Sequence, residues 1–137
     1  MEPINFLAII VASLISFGIG SLWYSPFLFG KEWMEGKNIS EKNLDSIKTT
    51  SVLRSYIIQF ILTLFTFTFI AFVISMSQAR TSTDGAFIGL LSWLGLVIPL
   101  SVSGLLWKKE SFTLFLIDTV NNLVVLTIGG AIIGAWR

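Results

Sequence analysis

The sequence contains neither cysteine nor histidine, and only 12% of its 137 residues are charged. Without cysteine there are no disulfides, thiol nucleophiles or thiolate metal sites. Without histidine there are no imidazole ligands and no side chain that titrates unperturbed near neutral pH. A soluble domain carries about 25% charged residues, so the shortage of charge points towards lipid. The net charge of +1 comes without a basic tract, so there is no electrostatic footprint for nucleic acid. Most ordinary enzyme chemistry is closed to such a chain. A non-enzymatic protein without a cofactor is the expectation.

What is present is apolar: 54% of the residues are hydrophobic. No charge occurs between Pro3 and Gly30, or between Tyr56 and Gln78. Such runs exceed the roughly 18 apolar residues that mark a bilayer span. Four spans are predicted, at 4–27, 56–76, 85–107 and 112–135. At about 1.5 Å per residue each reaches roughly 32–36 Å, enough for a hydrocarbon core of about 30 Å with some tilt. The start, Met1-Glu2-Pro3, lacks a basic region and its apolar run is long for a cleaved signal, so the first segment is expected to stay as a helix. The predicted architecture is an all-α polytopic membrane protein, four transmembrane helices in an antiparallel bundle forming a single domain over 1–137.

The connections differ in length. The segment 31–55 is long and polar, whereas 77–84 and 108–111 are short and force their flanking helices into hairpins. Basic residues near span ends set orientation. Lys31, Lys37, Lys42, Lys48, Arg54, Lys108 and Lys109 lie on one side, Arg80 and Arg137 on the other. This bias predicts a multi-pass protein of the cell (inner) membrane, with loop 31–55 cytoplasmic and both termini outside. Trp23, Tyr24, Trp33, Trp107 and Trp136 fall at span ends, where amphipathic rings favour the membrane interface. Trp93 does not. Within the long loop, Ser40 can cap a short helix with Ile39 and Leu44 as its hydrophobic staple. The sequon Asn38-Ile39-Ser40 would not meet the glycosylation machinery in a cytoplasmic loop.

The run Gly20-Ser21-Leu22-Trp23-Tyr24-Ser25-Pro26, followed by Phe29-Gly30-Lys31-Glu32-Trp33-Met34, resembles the signature of domain of unknown function family 1761. The ending Gly130-Ala131-Ile132-Ile133-Gly134-Ala135-Trp136 is similar to that family's C-terminus. The resemblance implies a small prokaryotic membrane protein with four spans and carries no catalytic residues with it.

The polar group most informative about function is Asp118, Asn121 and Asn122 on span four, whose spacings of three and four place them on neighbouring surface of one helix. A charged carboxylate at depth costs at least about 2.5–3.5 kcal/mol on insertion scales. One reading is a proton or substrate site with Ser13 and Ser16 of span one lining the same pathway. The other has Asp118 reaching Lys108, Lys109 or water while the asparagines bond across helices. Two rows of small residues, Ala8, Ala12, Ser16 and Gly20 on span one and Gly130 and Gly134 on span four, permit close helix approach. The partner of the span-four row is left open between span one of the same chain and a second copy. Pro99 in span three frees the carbonyl of Gly95 and predicts a kink. Span two, rich in phenylalanine, is the expected lipid-exposed span. Its threonines can bond back to their own helix.

Two functions follow from these features. One is a small-solute, ion or proton-coupled transporter or channel acting as a homodimer or other homo-oligomer, since four spans enclose little volume. The other is a non-catalytic membrane module that binds lipid or a partner membrane protein.

Overall fold

The computed structural model describes residues 2–37 and 49–136, and every regular element among them is helical. The described residues form five helices: α1 (Phe6–Trp23), α2 (Gly30–Gly36), α3 (Thr49–Ser77), α4 (Ser82–Trp107) and α5 (Phe112–Ala135). Four of them, all but α2, are long and apolar enough to cross a membrane. The expected helix capped by Ser40, its staple and the sequon lie outside the described residues.

Two boundaries differ from the sequence reading. Hydropathy carried the first span to residue 27, but α1 ends at Trp23 and the chain makes a tight turn through Ser25 and Pro26. Proline cannot donate a helical bond, and backbone bonds from Phe29 to Trp23 (3.0 Å) and from Gly30 to Ser25 (3.0 Å) close the turn. A Cβ at Gly30 would lie 2.8 Å from the Ser25 carbonyl carbon, so the turn needs glycine there. α3 begins at Thr49, well before 56, so the helix of the second span runs past the end of the apolar stretch. Its 29 residues extend over about 43 Å, more than the hydrocarbon core needs.

Helix ends are held by local chemistry. The Asn5 side chain caps α1, accepting from Leu7 (3.0 Å) and Ala8 (3.3 Å). Thr81 and Asp84 form a reciprocal capping box at the start of α4. The two termini and the α3–α4 turn meet at one end of the molecule. There, Asn5 Nδ2 donates to the Trp136 carbonyl (3.3 Å), Arg80 pairs with Glu2 (3.3 Å), and Ser75 Oγ donates to the Glu2 carbonyl. α2 and the α4–α5 turn therefore lie at the opposite end.

The most extensive packing is between α4 and α5, and its cause is glycine. A Cβ at Gly85 would land on the Gly130 carbonyl and 2.9 Å from Gly134 Cα, and one at Gly89 would lie 2.7 Å from the Leu126 carbonyl carbon. The partner of the Gly130–Gly134 row is thus span three of the same chain and not span one, because glycines stand on both sides of this seam and let the two backbones touch. On α1, Ala8, Ala12 and Ser16 are buried as a close row requires, but the row ends there: a Cβ at Gly20 would meet nothing within 4 Å. Phe67 of α3, fully buried, lays its ring against Gly129, and Ile70, Ala71 and Ile74 complete the buried face of α3. Phe17 joins α1 to α3 by edge contacts with Tyr56 (5.8 Å) and Phe60 (5.9 Å).

Lipid exposure was expected to be greatest on span two. Within the chain the least buried span is instead α4, where 11% of the spanning window is buried against 22% for α3, 28% for α1 and 33% for α5. Glycine explains the difference: α4 meets its neighbour through side-chain-free backbone, so its large side chains point elsewhere. The α3 threonines bond to their own helix as anticipated, Thr63 to Gln59 (2.8 Å), Thr66 to Leu62 (3.0 Å) and Thr68 to Leu64 (2.8 Å).

Candidate functional site

Three aromatic donors converge on one turn of α5. Tyr24, the residue that ends α1, donates its hydroxyl to Asp118 Oδ1 (2.6 Å). Its neighbour Trp23 donates Nε1 to the Ile117 carbonyl (2.9 Å), and Trp93 of α4 donates Nε1 to the Thr119 carbonyl (2.7 Å). Residues 117, 118 and 119 point in directions about 100° apart around a helix of 3.6 residues per turn. The three donors therefore grip α5 at one height, fixing both its rotation and its depth.

Asp118 thus takes a partner from another helix, and it is neither Lys108 nor Lys109. A neutral phenol is a hydrogen-bond donor that can be buried more cheaply than a lysine ammonium. The bond satisfies the carboxylate without drawing a second charge into the membrane. Around it, Tyr24 packs edge-on against Trp33 of α2 (5.9 Å), Trp23 tilts against Phe29 (4.8 Å), and the Lys37 ammonium lies 5.7 Å over the Trp33 ring. α2 is seated on α5 at Gly36, whose Cβ would lie 2.8 Å from Leu114 Cγ. The signature run from Gly20 to Met34 therefore folds into one cap over the end of α5.

Trp93, the tryptophan away from a span end, sits in a π-helical turn, Trp93–Val97. The Ile98 N–H bonds to the Trp93 carbonyl, one residue further back than in an α-helix, and Pro99 has no N–H to offer. The distortion expected at Pro99 is this turn, placed just before the proline. It widens the helix where Trp93 must reach α5. Trp93 is packed against the buried core.

The remaining sequence-selected residues behave differently from one another. Ser13, fully buried, donates to the Ile9 carbonyl (2.8 Å) in its own helix. Ser16 Oγ and Asn121 Oδ1 are buried without a hydrogen-bond partner, as is Thr127 Oγ1. Asn122 is partly buried on α5. Trp107 projects from the end of α4, 84% exposed, and Trp136 is exposed at the opposite end of the molecule. Two shallow clefts, one around Asn5 and Trp136 and one around Gln78 and Phe87, are lined by none of Asp118, Asn121 and Asn122. Among the described residues no cluster of three carboxylates could hold a metal ion.

The fold defines an all-α polytopic membrane protein, in which Trp23, Tyr24 and Trp93 tie neighbouring elements to α5. A family model described as "Protein of unknown function (DUF1761)" matches residues 7–134. The chain belongs to this family, as the Gly20–Met34 run and the C-terminal run indicated. No curated protein and no solved structure matches it.

Proposed function

We propose that the protein is a non-catalytic membrane module that binds a partner membrane protein or a second copy of itself. The observation that supports this reading best is the Tyr24–Asp118 bond (2.6 Å). The carboxylate that a pathway would need is engaged by the chain's own phenol, between two indoles that hold the adjoining backbone. A polar group used in this way specifies helix position. The uncovered face of α4 is the surface such a module would present. The lysine-rich end carrying α2 faces the cytoplasm in this reading, with both termini outside. An impermeant thiol reagent outside intact cells should then label a Ser82→Cys variant and spare Glu35→Cys; the reverse pattern would invert the orientation.

The transporter reading retains one specific support, the unpartnered Ser16 and Asn121 atoms. Proton flux separates the two. Purified protein in vesicles with an entrapped pH dye should dissipate an imposed gradient no faster than empty vesicles. A protein-dependent flux that Asp118→Asn abolishes would establish a pathway and end the module reading.

A further inference from the structure

Several hydroxyls in the spanning helices bond to a carbonyl of their own helix, as Ser13, Ser21, Thr63 and Thr119 do. Ser16 does not: its Oγ is buried and bonds to nothing, and the residue is only 4% exposed. Asn121, 9% exposed, has its Oδ1 in the same condition. Buried polar groups without partners are uncommon, because each forfeits its hydration for nothing in return.

The cross-helix bonds place these two atoms relative to each other. Asn5 meets Trp136, Trp23 meets Ile117 and Tyr24 meets Asp118, so α1 and α5 keep one antiparallel register along their length. Ser16 lies two turns before Trp23 on the same face of α1. Asn121 lies one turn beyond Ile117 on the face of α5 that α1 meets. Both therefore face the α1–α5 seam, about one turn or 5 Å apart in height. Gly20 shares the face of Ser16 and stands level with Asn121. It is also where the small-residue row opens: apart from its own helix backbone and chain neighbours, nothing lies within 4 Å of where its Cβ would be. Thr127 lies six residues beyond Asn121, on another face of α5, beside Gly89.

We propose that this niche at Gly20 is an internal water site, in which one water donates to Asn121 Oδ1 and accepts from Ser16 Oγ. The chemistry is complementary whichever way the amide is turned, since water both donates and accepts. A site with room and two or more convergent polar atoms is what distinguishes a hydrated cavity from a dry apolar void. The water stands one turn from the Tyr24–Asp118 pair and extends its polar seam towards the middle of the membrane. This inference does not depend on the docking role, because a structural water serves either function.

Two measurements test it. In the wild-type protein in bicelles, the Asn121 side-chain amide should show a cross-peak to a long-lived water by NMR. In detergent, Asn121→Leu and Ser16→Ala should each lower the melting temperature, and the double variant should lose no more than the worse single one, since both remove the same bridge. If each substitution raises the melting temperature, and the two gains add, the seam is dry and the proposal is wrong. Non-additive losses without a water cross-peak would mean a direct Ser16–Asn121 bond, which overturns it equally.

Discussion

At the scale of single residues, the same substitution should have opposite signs at two glycines. A methyl group at Gly85 would strike the Gly130 carbonyl, a backbone atom that cannot step aside, whereas one at Gly18 would meet nothing within 4 Å on an exposed helix surface. Gly85→Ala should cost about 1–3 kcal/mol in overpacking. Gly18→Ala should gain up to about 1 kcal/mol from helix propensity. Unfolding of both variants in the same detergent measures the contrast; equal effects would show that Gly85 and Gly130 do not meet as closely as described. Residues of this kind were partly legible. Gly130 and Gly134 stood out by spacing, but their partners Gly85 and Gly89 did not, because a small residue announces that something approaches and not what. Asp118 was likewise visible as an ionisable residue inside an apolar run. Tyr24, its donor, read only as an interface aromatic, since a contact 94 positions away in the chain leaves no local pattern.

At the scale of elements, the four long helices were legible because each is a long uncharged run, and length with hydropathy is the signal that a bilayer imposes. Their ends were less so. The chain leaves α1 at Trp23 although hydropathy continues to residue 27, because turn chemistry at Ser25, Pro26 and Gly30 overrides it. α2 was not anticipated, since seven residues with two flanking glycines carry no periodicity. It forms because Trp33 finds Tyr24 and Gly36 finds Leu114. A kink was expected at Pro99; what α4 shows is a π-turn just before the proline, from which Trp93 reaches Thr119, and the sequence alone could not say so. The least buried span was not legible for a related reason: phenylalanine content describes what a helix carries, and burial depends on how closely its neighbours can come.

At the scale of the whole molecule, α5 is the member around which the others are arranged. α1 meets it through Ala8, Ala12 and the Trp23–Tyr24 end, α4 through glycines and Trp93, α3 through Phe67 on Gly129, and α2 through Leu114. Without a hydrophobic force between helices in lipid, such an assembly depends on close backbone packing and a few polar bonds. The central claim is that the Tyr24–Asp118 bond is one of those bonds and holds α1 and α5 together. A double-mutant cycle with Tyr24→Phe and Asp118→Leu tests it most directly. Either single change strands a polar group, and should cost about 1–3 kcal/mol of unfolding free energy; the double change strands neither. The account predicts that the double variant is less destabilised than the sum of the singles by at least about 1 kcal/mol. Additivity within about 0.3–0.5 kcal/mol, the range found for independent sites, would contradict it.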